Sequence, residues 1–108
     1  MIRQPSALAL ALDAELVARS RENHVAEHHL AGLLVRMEQG KLHREFGYAN
    51  LVDYAVERLG LGRTQARALL RIGRRLAELP ALDQAMARGE ISWTKAREVV
   101  RASTPESD

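Results

Sequence analysis

The sequence predicts an all-α fold, a small multi-helix domain of five or six helices with a central helix-turn-helix. Apolar residues make up 46% of the 108 residues, and most are Leu, Ala and Val, with one Phe, one Trp and two Tyr. Leu, Ala, Arg and Glu are strong helix formers, whereas the aromatic residues that favour strands are scarce. Apolar residues also recur at intervals of three and four, and a chain of this length favours a single domain overall.

Residues 1–40 are predicted to form a helical arm or a hairpin of two helices. Ser6 is a candidate N-cap, because the residues after it include three leucines at helical spacing. Gly40 is a candidate C-terminal stop. One long helix and two shorter ones both fit the pattern, and a break near residues 20–23, ending the first helix at about Arg19, is the preferred interpretation.

Residues 41–49 are predicted to be a loop, and residues 50–108 a helix-turn-helix core with two short helices after it. Asn50 is placed to cap the first helix of the core, and Gly60 to end it, because glycine tolerates a positive φ. Leu61 is the apolar residue expected to pack between the two helices at their corner. The side chains expected at the crossing are Ala55, Val56, Leu59, Ala66 and Leu69.

The second helix of the core is predicted to run from Arg63 to about Glu78, before Pro80. At about 100° per residue its side chains separate into an apolar face and a basic face. The apolar face comprises Ala66, Leu69, Leu70, Ile72, Gly73 and Leu76. The basic face comprises Arg63, Arg67, Arg71, Arg74 and Arg75. Two short helices are predicted to follow, the first at about 81–88. The second is capped by Ser92 and runs to about residue 102, and residues 103–105 form a frayed exit.

The positive charge of the chain is concentrated in this second helix. Residues 63–75 carry five arginines and no acidic residue, although the formal net charge of the whole chain is only +2. In a DNA-binding helix-turn-helix, the second helix enters the major groove and its first residues reach base edges. The candidates for base contacts are Arg63, Thr64, Gln65 and Arg67. The candidates for phosphate contacts are Arg71, Arg74 and Arg75.

Double-stranded DNA is therefore one expected partner, reached through this arginine face. A solvated arginine face, or one that meets an acidic protein surface, is an equally open interpretation of the same pattern. A second interpretation is self-association through the N-terminal helices, as a protein-protein interaction or dimerisation module. The side chains that would then lie partly at an interface are Leu8, Leu12, Leu16, Leu30, Leu33, Leu34 and Met37.

Several classes of function are not expected. The chain has no cysteine, which excludes disulfides, a thiol nucleophile and cysteine-containing zinc sites. His24 and His28 would share a helix face, but no third ligand stands at a useful spacing, so no metal or other cofactor is expected. No nucleophile elbow, glycine-rich phosphate loop or paired-carboxylate motif indicates an enzyme. Trp93 is expected to anchor the last helix on the core.

No membrane partner is expected either. The Leu/Ala run of the first twelve residues is interrupted by Asp13 and Glu15 before it reaches the length of a signal peptide or a membrane span. A cytoplasmic location fits this pattern.

The second part of the chain, residues 47–108, carries a specific order of motifs. Its three stretches are GYANLVDYAVERLGLGRTQARALLRIGRRLAELP, ALDQAMARGEISW and TKAREVVRASTPESD. The order of a Gly-Tyr pair, LGL, an arginine-rich helix, LP, a GEIS turn and AR resembles the N-terminal helical domain of unknown function found in bacterial HNH endonuclease-like proteins. The arginine-bearing helix, LP and GEIS are also similar, over a shorter stretch, to the helix-turn-helix core of ParB-type partition proteins.

The first resemblance implies a DNA-targeting module of a bacterial protein that continues into a nuclease with a His-Asn-His metal site, often with zinc-binding cysteines. No residue of this chain matches the HNH motif, so the catalytic residues of the family have no counterpart here. We therefore expect that the chain as given does not cut DNA.

Overall fold

A computed structural model describes residues 4–102, and helices account for most of them. The α-helices are α1 (Ala7–Gln39), α2 (Leu51–Leu59), α3 (Arg63–Leu76), α4 (Pro80–Ala87) and α5 (Trp93–Ala102), with a short 3₁₀ helix at Leu42–Phe46. No strand occurs between residues 4 and 102. The predicted all-α fold is confirmed.

The N-terminal region is one continuous helix, so the preferred break near residues 20–23 is wrong. Residues 20–23 contain neither glycine nor proline, and two ion pairs of Arg19 span residues 15–22. Arg19 donates to Glu15 at 3.0 Å and to Glu22 at 3.0 Å, pairs at the spacing that supports a helix. Ser6 is the N-cap as predicted, since its Oγ accepts from the amide of Ala9 at 3.1 Å.

The end of α1 is where the sequence predicts it, but its geometry differs. Gly40 keeps a right-handed φ of −86°, and its amide still donates to the carbonyl of Arg36 at 3.2 Å. Lys41 is the residue with a positive φ, at 54°, and it leads directly into the 3₁₀ helix. The segment 41–49, predicted as a loop, therefore contains a helical turn.

The apolar core consists of two clusters joined through α3. The first brings together α1, α2 and α3 and comprises Ala31, Leu34, Leu51, Ala55, Ala66, Leu69 and Leu70. The second brings together α3, α4 and α5 and comprises Ile72, Leu76, Leu79, Leu82, Met86, Ala96 and Val100. Trp93 packs against both clusters, which confirms that it anchors the last helix. Leu34 is 2% exposed, so its predicted place at an outer interface is wrong.

A glycine lets α3 lie close against α1. A Cβ added at Gly73 would stand 2.7 Å from Cγ2 of Val35 and 3.1 Å from the carbonyl oxygen of Ala31. Both distances are shorter than an ordinary van der Waals contact, so a side chain at this position would push the two helices apart. The close approach fixes how α3 is presented to solvent.

The corner between α2 and α3 has the local features that the sequence predicts. Gly60 has a φ of 71°, and the amide of Leu61 donates to the carbonyl of Ala55 at 3.2 Å, which closes the end of α2. Leu61 packs partly buried against the first cluster. The side-chain oxygen of Asn50 caps α2 by accepting from the amide of Asp53 at 2.8 Å.

Two residues of the predicted crossing lie outside the core clusters, namely Val56, which is half-buried, and Leu59. Of the two, Leu59 is 42% exposed, because it is the last residue of α2 and lines an open groove beside Leu33 and Leu42. Leu51, one helical turn before Ala55 on the same face, is buried in its place.

The last two helices follow the predicted order with small shifts. Helix α3 ends at Leu76, and Pro80 is the first residue of α4, a position where its missing N–H costs nothing. Ser92 caps α5 as predicted, since its Oγ accepts from the amide of Lys95 at 3.1 Å. The exit predicted over 103–105 lies outside the described residues. In the part of the chain that is described, no helix is both long and apolar enough to cross a membrane.

Candidate nucleic-acid interface

Helix α3 has one buried face and one basic face. Its buried residues are Ala66, Leu69, Leu70, Ile72 and Leu76. Four of its arginines are exposed and the fifth, Arg75, is half-buried. The apolar residues that attach α3 to the core therefore force its arginines outward, which confirms the two faces predicted from the periodicity.

Arg63, at the start of α3, is bound to the helix before it. Its Nη1 donates to Oδ1 of Asp53 at 2.8 Å, and the same carboxylate accepts from the side-chain amide of Asn50 at 3.0 Å. These two hydrogen bonds hold the pKa of Asp53 below its ordinary value. The charge of Arg63 is thus partly balanced within the chain.

Arg74 is bound to α1 in the same way, but by two hydrogen bonds. Its Nε donates to Oε1 of Glu38 at 2.7 Å, and its Nη2 donates to Oε2. The bond from Arg74 lowers the pKa of Glu38, and the bond to Glu38 raises the pKa of Arg74. A phosphate that engages Arg74 has to compete with this carboxylate.

Thr64, Gln65 and Arg67 are all exposed, but they do not share one side of α3. At about 100° per residue, Thr64 and Arg67 lie about 60° apart around the helix, whereas Gln65 and Arg67 lie about 160° apart. A surface docked on Arg67 therefore reaches Thr64 but not Gln65. The roles assigned to these side chains stay predictions.

The remaining arginines of α3 form a row on its outer side. Arg67, Arg71 and Arg75 follow one another at intervals of four, so they stand one turn apart. Arg75 pairs with Glu78 at 3.3 Å. Arg67 and Arg71 are exposed and make no hydrogen bond or ion pair with any residue between 4 and 102. We call these three side chains the outer arginine row.

The outer arginine row continues into a groove between α3 and α5. The groove encloses about 340 Å³, and its walls are Ala68, Arg71, Ile72, Arg74, Arg75, Arg97, Val100 and Arg101. Five of these eight residues are arginines, and no acidic residue of the described chain lines the groove. Two helices thus bring their positive charges to one place.

Arg97 and Arg101 were not among the residues predicted from the sequence. A signal was present, because these residues are four apart and each follows an apolar residue, Ala96 or Val100, that turns out to be buried. The periodicity of α5 alone does not show which helix lies beside it. Only the packing of α5 against Ile72 and Leu76 places its arginines next to those of α3.

One of the two histidines considered as metal ligands, His28, pairs with a residue of another helix. Nε2 of His28 lies 2.6 Å from Oδ1 of Asp83, so the pair joins α1 to α4. Among residues 4–102, no group of three or more His, Asp or Glu side chains is arranged to hold a metal ion.

Known proteins provide no assignment for this arrangement. No protein-family model, curated protein or solved structure matches the chain.

Proposed function

We propose that the chain is a non-catalytic DNA-binding module in which α2 and α3 act as a helix-turn-helix. The observation that carries this proposal is the outer arginine row, in which Arg67 and Arg71 stand exposed on the second helix of a corner fixed to the core. Phosphate contacts from such side chains supply most of the sequence-independent affinity for duplex DNA. A helix in this position of the motif docks in the major groove.

The environments of the arginines suggest different roles in binding. Arg67, exposed and without a hydrogen bond or ion pair to any residue between 4 and 102, contacts base edges together with Thr64, whereas Arg71 contacts phosphates. Arg63, Arg74 and Arg75, the last also a candidate for a phosphate contact, are already paired with carboxylates. They contribute less, because each has to exchange a carboxylate oxygen for a phosphate oxygen.

The resemblance to the helical domain of HNH endonuclease-like proteins supports targeting as the role of the module. In that setting the protein is bacterial and cytoplasmic, and another part of it cuts the DNA. The module itself supplies position rather than chemistry, consistent with its lack of an HNH motif.

A fluorescence anisotropy titration with short duplex DNA at two salt concentrations tests the proposal. We expect binding that weakens strongly with salt and that is lost on Arg67→Ala or Arg71→Ala. Arg88→Ala is the matched control, because Arg88 is exposed and paired with Glu90, outside the arginine groove. Absence of binding at low salt overturns the proposal.

A second candidate function, self-association, rests on the N-terminal part of α1. Residues 7–20 are exposed along their whole length, and their large apolar side chains include Leu8 and Leu16, each 69% exposed. Large apolar side chains that stand exposed together on one element are typical of an interaction surface. Residues 7–20 of a second copy, related by a two-fold axis, would cover these side chains.

Sedimentation at several protein concentrations tests the second candidate. We expect a dimer that dissociates when Leu12 and Leu16 are both changed to Asp. Glu22→Ala is the matched control, since it removes an exposed ion pair of α1 without changing the leucines of the helix. A strict monomer at high concentration excludes self-association.

A further inference from the structure

We infer that the groove between α3 and α5 is a clamp for the sugar-phosphate backbone of duplex DNA, with Arg97 and Arg101 as the phosphate-binding residues of α5. This inference rests on the proposed function and extends its interface to a second helix. It concerns residues outside the helix-turn-helix.

The first argument is the arrangement of charge. Arg71 and Arg75 on one wall, and Arg97 and Arg101 on the other, form two pairs at intervals of four. Each interval rises about 6 Å along its helix. Guanidinium groups bind phosphate oxygens in a bidentate way that ammonium groups do not reproduce. Two facing pairs therefore provide several bidentate contacts to one polyanion.

The second argument is the lack of internal neutralisation. Arg71, Arg97 and Arg101 are exposed and make no ion pair or hydrogen bond with any residue from 4 to 102. The arginines repel one another across the groove, and no acidic side chain among the described residues lines it. An anion with several charges relieves this repulsion, whereas an uncharged ligand does not.

The third argument is the floor of the groove. Between the arginines lie Ala68, Ile72 and Val100, so the base is apolar while the rim is positive. A volume of about 340 Å³ is at the lower end of the range for ligand-sized clefts. The apolar carbons of deoxyribose fit against such a floor while the phosphates meet the rim.

Continuity with the outer arginine row favours a nucleic acid backbone over an acidic peptide. Arg71 and Arg75 belong both to that row and to the groove. A duplex docked on Arg67 and Thr64 thus passes its backbone directly along the groove. An acidic peptide explains the groove but leaves the exposed residues at the start of α3 without a role.

The double variant Arg97→Ala/Arg101→Ala tests the clamp in the same anisotropy titration, with circular dichroism to confirm that the helices remain. We expect affinity for unrelated duplexes to fall by about tenfold or more, equally for each, and the slope of log K against log salt to decrease by about 2. The variant Arg97→Lys/Arg101→Lys keeps the charges and should keep most of the slope. The matched control is Arg21→Ala/Arg88→Ala, which removes two charges beside the N-terminal arm.

The outcomes separate the clamp from the proposed function. If the Arg97/Arg101 variant binds DNA with unchanged affinity and slope while Arg67→Ala and Arg71→Ala lose binding, the clamp is wrong and the proposed function stands. If the unaltered chain does not bind duplex DNA at low salt, both are wrong. If a polyglutamate peptide binds through Arg97 and Arg101 more tightly than DNA, the groove is a protein-binding site and the clamp is overturned.

Discussion

Arg74 of α3 donates two hydrogen bonds, from Nε and Nη2, to the carboxylate of Glu38 near the C-terminal end of α1. Arg74 follows Gly73, where α3 lies close against α1. It therefore belongs both to the fold and to the candidate interface. The carboxylate of Glu38 joins α1 to α3, and it also competes with any bound phosphate for Arg74.

Glu38→Gln should release Arg74 and strengthen DNA binding. Loss of the carboxylate removes both the competing acceptor and a negative charge next to the interface. We expect affinity to rise several-fold and the salt slope to grow by about 1, measured by anisotropy. Glu22→Gln, which removes one of the two carboxylate partners of Arg19 in α1, should leave both unchanged. Unchanged or weaker binding by Glu38→Gln would exclude competition at Arg74.

Acid should remove the stabilisation that Glu38 provides. The hydrogen bond from Arg74 holds the pKa of Glu38 in the folded chain below its ordinary value of 4.5. The stabilisation is therefore complete above that value and is lost as the pH falls through the lower folded pKa. Because Arg74 is about half exposed, the effect on the free energy of unfolding is at most about 1 kcal/mol.

Thermal melts of the unaltered chain and of Glu38→Gln across a pH series measure this effect. Their midpoints should differ at neutral pH and converge in acid. A difference that stays constant through the titration of carboxylates would show that the pair does not stabilise the folded chain.

Local features of the fold were predictable because they depend on neighbours in sequence. The caps at Ser6, Asn50 and Ser92, the positive φ of Gly60 and the two faces of α3 each follow from a few adjacent residues. The continuity of α1 was not predicted, although its ion pairs at Arg19 are also local. Polar residues in a helix were interpreted as a break where they in fact pair with one another.

Features that join distant segments were not predictable from periodicity. The spacing of apolar residues in α1 fits Leu33 as well as Leu34, and only the position of α3 buries the second. The pairs of Arg74 and Arg63 with carboxylates also depend on how helices cross. For the same reason the arginines of α5 were missed, since no local pattern reveals that they face α3.

A methyl group at Gly73 should destabilise the chain although it favours the helix. In an unobstructed helix, Gly→Ala stabilises by about 1 kcal/mol. At Gly73 the added Cβ would lie 2.7 Å from Val35, and overpacking of this kind costs about 1–3 kcal/mol. We therefore expect Gly73→Ala to lower the free energy of unfolding, measured by urea denaturation.

Gly32→Ala is the matched control for Gly73→Ala. Gly32 is also in a helix, but a Cβ there meets no heavy atom within 4 Å. This variant should gain up to about 1 kcal/mol. Equal effects of the two substitutions would show that the crossing of α1 and α3 accommodates a side chain.

The two glycines of the turn between α2 and α3 should respond in opposite ways to substitution. Gly60 has a φ of 71°, so Gly60→Ala forces an L side chain into the left-handed region, at a cost of about 1–2 kcal/mol. Gly62 is the N-cap of α3 with an extended φ of −67° and makes no side-chain cap. Gly62→Ser supplies a side-chain oxygen that can accept from an amide of the first turn of α3. We expect it to raise the free energy of unfolding by a few tenths of a kcal/mol, roughly the difference between Ser and Gly at an N-cap. Urea denaturation of both variants measures the difference, and loss of stability by Gly62→Ser would show that the turn admits no side chain at either glycine.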